Sequence, residues 1–263
     1  MNTWYFDNEH HCLRWLNCNP EHPMLVFVHG LGCAASSDYP PVITSSEYPE
    51  MSSLLVDLPG AGFSDKPDTV LYDSDTQAQR LQHWLTDSGN TSLSLFGHSA
   101  GTFIALKLMQ KLSVPPEQLI LCTPGLNDYG ISLLNEITSM SETGFVRYGF
   151  SALMMKLKAQ GRSDAWLGPF QVSSPQAIWQ WAKSALSDNA RDWIGELAKL
   201  SVKKGVILPD NTSETEVLKY IQAGCSVELV PESGHMMAYD APDGLARAIS
   251  NLTGGCSTTG IHL

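Results

Sequence analysis

Six apolar runs of four or five residues recur along the chain: "MLVFV" (24–28), "SLLVD" (53–57), "SLSLF" (92–96), "QLILC" (118–122), "GVIL" (205–208) and "SVELV" (226–230). Such runs are too short for helices. Turn formers bound them: Pro23 before the first and "HG" after it, Pro59 and Gly60 after the second. They read as buried strands. Two weaker strand-like segments, "TWYFD" and "HCLRWLNC", precede them.

Helical text lies between the runs. Ser74 and Gln77 have capping-box spacing; Ala78, Leu81, Trp84 and Leu85 then share a face that Gly89 can close. Residues 100–112 are apolar nearly all round, as in a helix packed on a sheet. Asp240 and Pro242 start a last helix whose buried side is Leu245, Ile249 and Leu252. Strand and helix alternate, so the expected fold is α/β: a mostly parallel central sheet with helices on both faces. Between 126 and 200 the rhythm breaks into helical text rich in aromatics: Phe145, Tyr148, Phe150, Trp166, Phe170, Trp179, Trp181 and Trp193. The expected organisation is a core of residues 1–125 and 201–263 with a helical cap insert at 126–200. Most of the aromatics are expected to pack the insert itself and a few to line a pocket, since pockets are predominantly apolar. The tail "GGCSTTGIHL" is expected to be poorly ordered.

With 263 residues the chain suits one large α/β domain with a small insert. Its net charge of -11 argues against nucleic acid and against an anionic membrane surface as partners. No segment reads as a signal peptide or a membrane span. The six cysteines show no close pairing, which suggests reduced thiols and a cytoplasmic protein. Cys33 and Cys122 read as small buried hydrophobes.

Chemistry is signalled in three places. "LSLFGHSAG" carries Gly97-His98-Ser99-Ala100-Gly101, a G-x-S-x-G directly after a strand and before a helix. A tight turn of this kind lifts the Ser99 hydroxyl above the sheet, and the helix N-terminus favours a developing oxyanion. "VFVHGLGCAAS" ends a strand in a small-residue loop, so the backbone amides of Leu31 and Ala100 are the candidate oxyanion hole. His29 is assigned a structural role. "LVPESGHMMAYDAP" places His235 in the loop after the last strand, where a neutral imidazole can take and return the serine proton.

With "HGLG", "DLPGAGFSDKP" (57–67), "GHSAG" and "SGHMMAYDAP" in this order, the chain resembles the α/β-hydrolase fold family along nearly its whole length. It is similar to the capped members: esterases, lactonases, carbon–carbon bond hydrolases and cofactor-free haloperoxidases. The serine at position 99 departs from haloalkane dehalogenases and epoxide hydrolases, which carry aspartate there. The resemblance implies a Ser99–His235 pair completed by an acid, and gives Asp57 the task of bracing a turn.

The acid is where the pattern departs. The family's G-x-x-D laid on "LPDNTS" puts Pro209 at the glycine and Thr212 at the aspartate. Ser213 and Glu216 have capping-box spacing, which gives Glu216 a structural task. Asp210 is the only carboxylate of the loop 209–212 and ranks first. A residue after the earlier strand is a second option; Thr123 there cannot ionise, and Asp128 lies further along. A third is no acid, with Asn211 or water orienting the imidazole.

The expected activity is hydrolysis of a small or medium ester or thioester through an acyl-enzyme on Ser99. The substrate would be a small molecule in an apolar pocket between core and cap. No cofactor and no metal are implied. The alternatives are a catalytically weak scaffold acting as ligand binder or sensor, or carbon–carbon cleavage in the same site.

Overall fold

The structure is a computed structural model that describes residues 1–20, 23–89, 92–161 and 164–254. The tail beyond Gly254, with Cys256, lies outside the described residues. One sheet runs through the molecule in the order β1-β2-β4-β3-β5-β6-β7-β8. The strands are β1 (Asn2–Tyr5), β2 (Cys12–Cys18), β3 (Met24–Val28), β4 (Ser52–Asp57), β5 (Leu93–His98), β6 (Gln118–Cys122), β7 (Lys203–Pro209) and β8 (Ser226–Val230). The pairs β1/β2 and β2/β4 are antiparallel. All other pairs are parallel.

The runs that become β3 to β7 are buried because both faces of the sheet are covered there, whereas β8, at the sheet edge, is only partly buried and leaves Leu229 exposed, against the expectation of a buried strand. Successive side chains point to opposite faces. Val26 and Val28 pack on one side with Leu54, Leu95, Leu121 and Val206. Leu25 and Phe27 pack on the other with Leu55, Phe96, Ile120 and Ile207.

Helices supply both layers. The turns α1 (Ala35–Asp38) and α2 (Pro40–Ile43) follow β3, α3 (Ser74–Asp87) follows β4, and α4 (Gly101–Lys111) follows β5. Between β6 and β7 come α5 (Asp128–Thr138), α6 (Glu142–Gly144), a π-helical turn at Phe145–Gly149, α7 (Phe150–Ala159), α8 (Asp164–Val172), α9 (Pro175–Asn189) and α10 (Trp193–Lys199). Then α11 (Glu214–Gln222) joins β7 to β8, and α12 (Met237–Asp240) and α13 (Pro242–Thr253) follow. No helix among the described residues is long and apolar enough to cross a membrane.

Tertiary contacts overrode one local signal. The cap of α3 is Asp73, whose carboxylate accepts from the amides of Asp75 and Thr76. Ser74 instead meets Ser184 of α9: its hydroxyl hydrogen-bonds to the Ser184 hydroxyl, and its backbone amide donates to the same hydroxyl at 2.8 Å. Gln77 donates its amide to the Pro59 carbonyl at 2.8 Å. Both side chains of the expected capping box are thus spent on longer-range bonds.

The helices between β6 and β7 are tied to the sheet layers. Lys107 of α4 pairs with Asp188 of α9 at 3.1 Å. The Leu126 amide donates to Asn189 Oδ1 at 3.1 Å. The nearly buried Lys204 of β7 donates to the carbonyls of Leu197, Ala198 and Leu200, satisfying the C-terminal end of α10.

Candidate active site

The parallel strands all end on one edge of the sheet, the edge where open α/β folds bind ligands. Leu31, Ser99, Thr123, Asp210 and His235 all follow strands there. Ser99 has φ 51°, a left-handed conformation that costs a non-glycine residue about 1–2 kcal/mol. The turn is enforced from behind. A Cβ on Gly101 would lie 2.4 Å from the His29 carbonyl oxygen and 2.8 Å from that of Val28, so only glycine lets α4 begin against the end of β3.

Ser99 and His235 meet: His235 Nε2 lies 2.9 Å from Ser99 Oγ. For Nε2 to accept the hydroxyl proton, the neutral ring must carry its own proton on Nδ1. Burial depresses the His235 pKa below its ordinary value, and the charge of Asp240 works in the opposite direction. The ring is therefore neutral, and able to accept a proton, at neutral pH.

His235 is held by its backbone as well. His98 Nε2 lies 2.9 Å from the His235 carbonyl oxygen. A carbonyl only accepts, so Nε2 of His98 carries the proton. Burial, then the neighbouring His235, press the His98 pKa down to about 3, which keeps this tautomer neutral. The Thr123 hydroxyl donates to the same carbonyl at 3.3 Å. One helical turn further on, Tyr239 donates to the buried carboxylate of Asp38. His98→Phe, which keeps bulk but removes the donor, is expected to lower turnover about 10- to 100-fold, because small misplacements of a base are costly. Steady-state kinetics with a thermal melt beside them will separate misplacement from unfolding.

The loop 29–36 is braced from several sides. His29 donates from Nδ1 to the Gly30 carbonyl at 2.8 Å and accepts the Leu58 amide on Nε2 at 3.1 Å. Both ring nitrogens are therefore used, and His29 is structural. Asp57 accepts from the Ser36 amide, the Ser36 hydroxyl and the Phe63 amide, joining this loop to the turn after β4. Leu31 and Ala100 line the same cavity as Ser99. Their amides take no part in the backbone hydrogen bonds of the turns that carry them.

That cavity measures about 220 Å³. Its far wall comes from the segment between β6 and β7: Leu126 just before α5, Leu133 and Leu134 of α5, Leu157 of α7 and Trp166 of α8. Of the eight aromatics noted in the sequence, only Trp166 lines it. Phe145, Phe150 and Phe170 stack among themselves and on Trp166. The leucines of α5 were missed in the sequence, although their helical spacing was a signal. His98 was also missed; its place beside the serine was the clue. Cys33 lines the cavity too, but burial and the nearby Asp38 raise its thiol pKa well above normal. Cys122 is pushed up to about 12 by burial. Both stay protonated and behave as small apolar groups.

The acid expected from the sequence is not brought to the histidine. The Asp210 side chain is exposed, while its amide donates to the Val230 carbonyl at 3.1 Å. Its carboxylate makes no hydrogen bond or ion pair among the described residues, because the turn after β7 directs it to solvent. Asp128 is exposed in the first turn of α5, and Asn211 is exposed beside Asp210. Nδ1 of His235 has no hydrogen-bond partner among the described residues. No group of three or more His, Cys, Asp or Glu side chains converges as a metal site among them either.

A serine on a strained strand-to-helix turn thus lies within hydrogen-bond distance of a histidine from the loop after the last strand, at the ligand-binding edge of an α/β sheet. The chain belongs to the alpha/beta hydrolase family, which its residues 25–248 match. No curated protein sequence matches it. Solved structures similar to it include the N-acyl homoserine lactonase AidH complexed with N-butanoyl homoserine (TM-score 0.72, 14% identity, covering 100% of this chain and 100% of that one). The epoxide hydrolase CorEH is also similar (TM-score 0.77, 13% identity, 96% and 98% covered). So is a thermophilic esterase from Thermogutta terrifontis (TM-score 0.75, 15% identity, 97% and 98% covered). At these identities the likeness is one of fold.

Proposed function

We propose that the protein is a serine hydrolase acting on small or medium esters or thioesters, cyclic esters included. The observation that carries this reading is the 2.9 Å contact between Ser99 Oγ and His235 Nε2 at the mouth of an apolar cavity. Ser99 attacks the carbonyl carbon while His235 takes its proton. The amides of Leu31 and Ala100 stabilise the oxyanion. The proton passes to the leaving group, and an acyl-enzyme remains. Water, deprotonated by His235, then releases the acid. Every step uses groups of this chain and needs no metal or organic cofactor. The helices of residues 126–200 act as the cap, and their leucines receive the apolar part of the substrate. The likeness to a lactonase and an esterase is compatible with this choice of bond. The five described cysteines are unpaired, which suits a cytoplasmic setting.

A second reading has one observation in its favour. Among the described residues no carboxylate hydrogen-bonds to the ring of His235, so a protein that binds its ligand and turns it over slowly fits the same site. Labelling with a fluorophosphonate at neutral pH, read by intact mass, separates the two. One adduct in the wild type and none in Ser99→Ala is the expected result. An unlabelled, folded wild type would overturn the hydrolase reading.

A further inference from the structure

Among the described residues His235 lines the cavity that holds Ser99 and a second cavity that does not. The second, of about 180 Å³, is bordered by Thr123, Leu208, Pro209, Thr212 and Glu216. It opens between the loops that follow β6 and β7. Those are the two loops from which the family resemblance leads an acid to be expected. Each presents a threonine at the relevant position, and threonine cannot ionise.

One carboxylate does line this cavity, and it comes from a helix. Glu216 stands in the first turn of α11; it is exposed, as Asp210 is, but unlike Asp210 it lines the cavity that His235 also lines. Its spacing from Ser213 suits the return half of a capping box, but that half is not made. Ser213 Oγ accepts the Glu216 amide at 3.3 Å, while no bond runs from the Glu216 carboxylate back to the Ser213 amide. The carboxylate forms no ion pair or hydrogen bond among the described residues. The other nearby acids differ. Asp210 does not line the cavity, and Asp240 is engaged by the Gly234 amide at 3.0 Å.

The chemistry of the ring supplies the demand. With Nε2 accepting from Ser99, the neutral imidazole is a donor at Nδ1, and as it takes the serine proton it becomes a cation. A donor and a nascent positive charge, next to a cavity of mixed polar and apolar lining that holds one unpaired carboxylate among the described residues, call for that carboxylate. Glutamate has three side-chain torsions with which to cross the space.

We infer that Glu216 is the positioning residue of His235. From the first turn of α11 it reaches into the cavity between the β6 and β7 loops, accepts the Nδ1 proton in a hydrogen bond and stabilises the imidazolium. This rests on the serine hydrolase reading above. It moves the acid off the loop and onto a helix, beyond Thr212, where the family pattern would place it.

The test compares wild type, Glu216→Gln and Glu216→Ala in fluorophosphonate labelling of Ser99 and in hydrolysis of p-nitrophenyl butyrate across pH. Both variants are expected to lose about 10²–10⁴-fold in kcat, with the acid limb of the pH profile moved to lower pH. Sodium formate, compared with sodium chloride at equal ionic strength, is expected to restore part of the rate in Glu216→Ala, where the cavity is enlarged. Glu216→Asp should keep an intermediate rate. A helix-capping role alone would move neither the pH limb nor the formate response. If wild type is labelled at Ser99 and Glu216→Gln retains its rate, the inference fails while the hydrolase reading stands. A loss confined to Asp210→Asn would likewise overturn it in favour of the loop. A wild type that is not labelled removes both.

Discussion

Replacing Ser99 by alanine is expected to reduce kcat on a chromogenic ester by about 10⁶-fold, to the level left by binding and the oxyanion hole alone. The loss should come without a loss of fold. Serine already bears the left-handed φ of 51°, and alanine bears the same strain, so melting temperatures should agree closely. Ser99→Gly sharpens the test. Glycine adopts this conformation freely, so that variant should be equally inactive yet more stable by about 1 kcal/mol. Kinetics and calorimetry on the three proteins measure both effects. Activity surviving in either variant would place the nucleophile elsewhere.

The second large effect concerns His235. His235→Gln should lower kcat about as far as the serine variants, since nucleophile and base act as a unit. The pH dependence then has a definite sign. The base must be neutral, and burial lowers its pKa below the ordinary 6.5. The profile of kcat/KM should therefore be flat at and above neutral pH and fall only on the acid side, with its midpoint below 6.5. Asp240 is the group that opposes the burial effect. Asp240→Asn keeps an oxygen for the Gly234 amide but removes the charge, so the midpoint should move further down. A rate–pH series on both proteins measures the shift. A midpoint above the ordinary 6.5, or an upward move in Asp240→Asn, would mean that another group governs the limb.

Much of the fold was legible because both faces of the sheet are buried. Strands such as β3 and β6 must then be short continuous apolar runs, and their limits in the structure are those of the runs themselves. The strand-to-helix turn around Ser99 was legible for a related reason. Glycine is required where α4 starts against the carbonyls of Val28 and His29, and that need shows in the sequence. The local caps were less legible. Ser74, Gln77 and Glu216 all carried a capping-box spacing, yet none of the three side chains is used as that spacing suggests. Ser74 and Gln77 find partners far along the chain, at Ser184 and Pro59.

The acid shows the limit of sequence reading most plainly. Asp210 stands out as the only carboxylate in its loop, but proximity along the chain says nothing of which way a turn points its side chain. The turn sends Asp210 to solvent, while Glu216, assigned elsewhere on local grounds, borders the cavity beside His235. Backbone periodicity and glycine requirements are local. The order of residues was therefore enough to set the alternation of buried strand and helix, and with it the edge on which Ser99 and His235 come together. Which leucines face Ser99, which imidazole holds His235 by its carbonyl, and which carboxylate shares its second cavity all waited on tertiary packing. Those relations join residues far apart in the chain, as His98 and His235 are, and no local rule carries them.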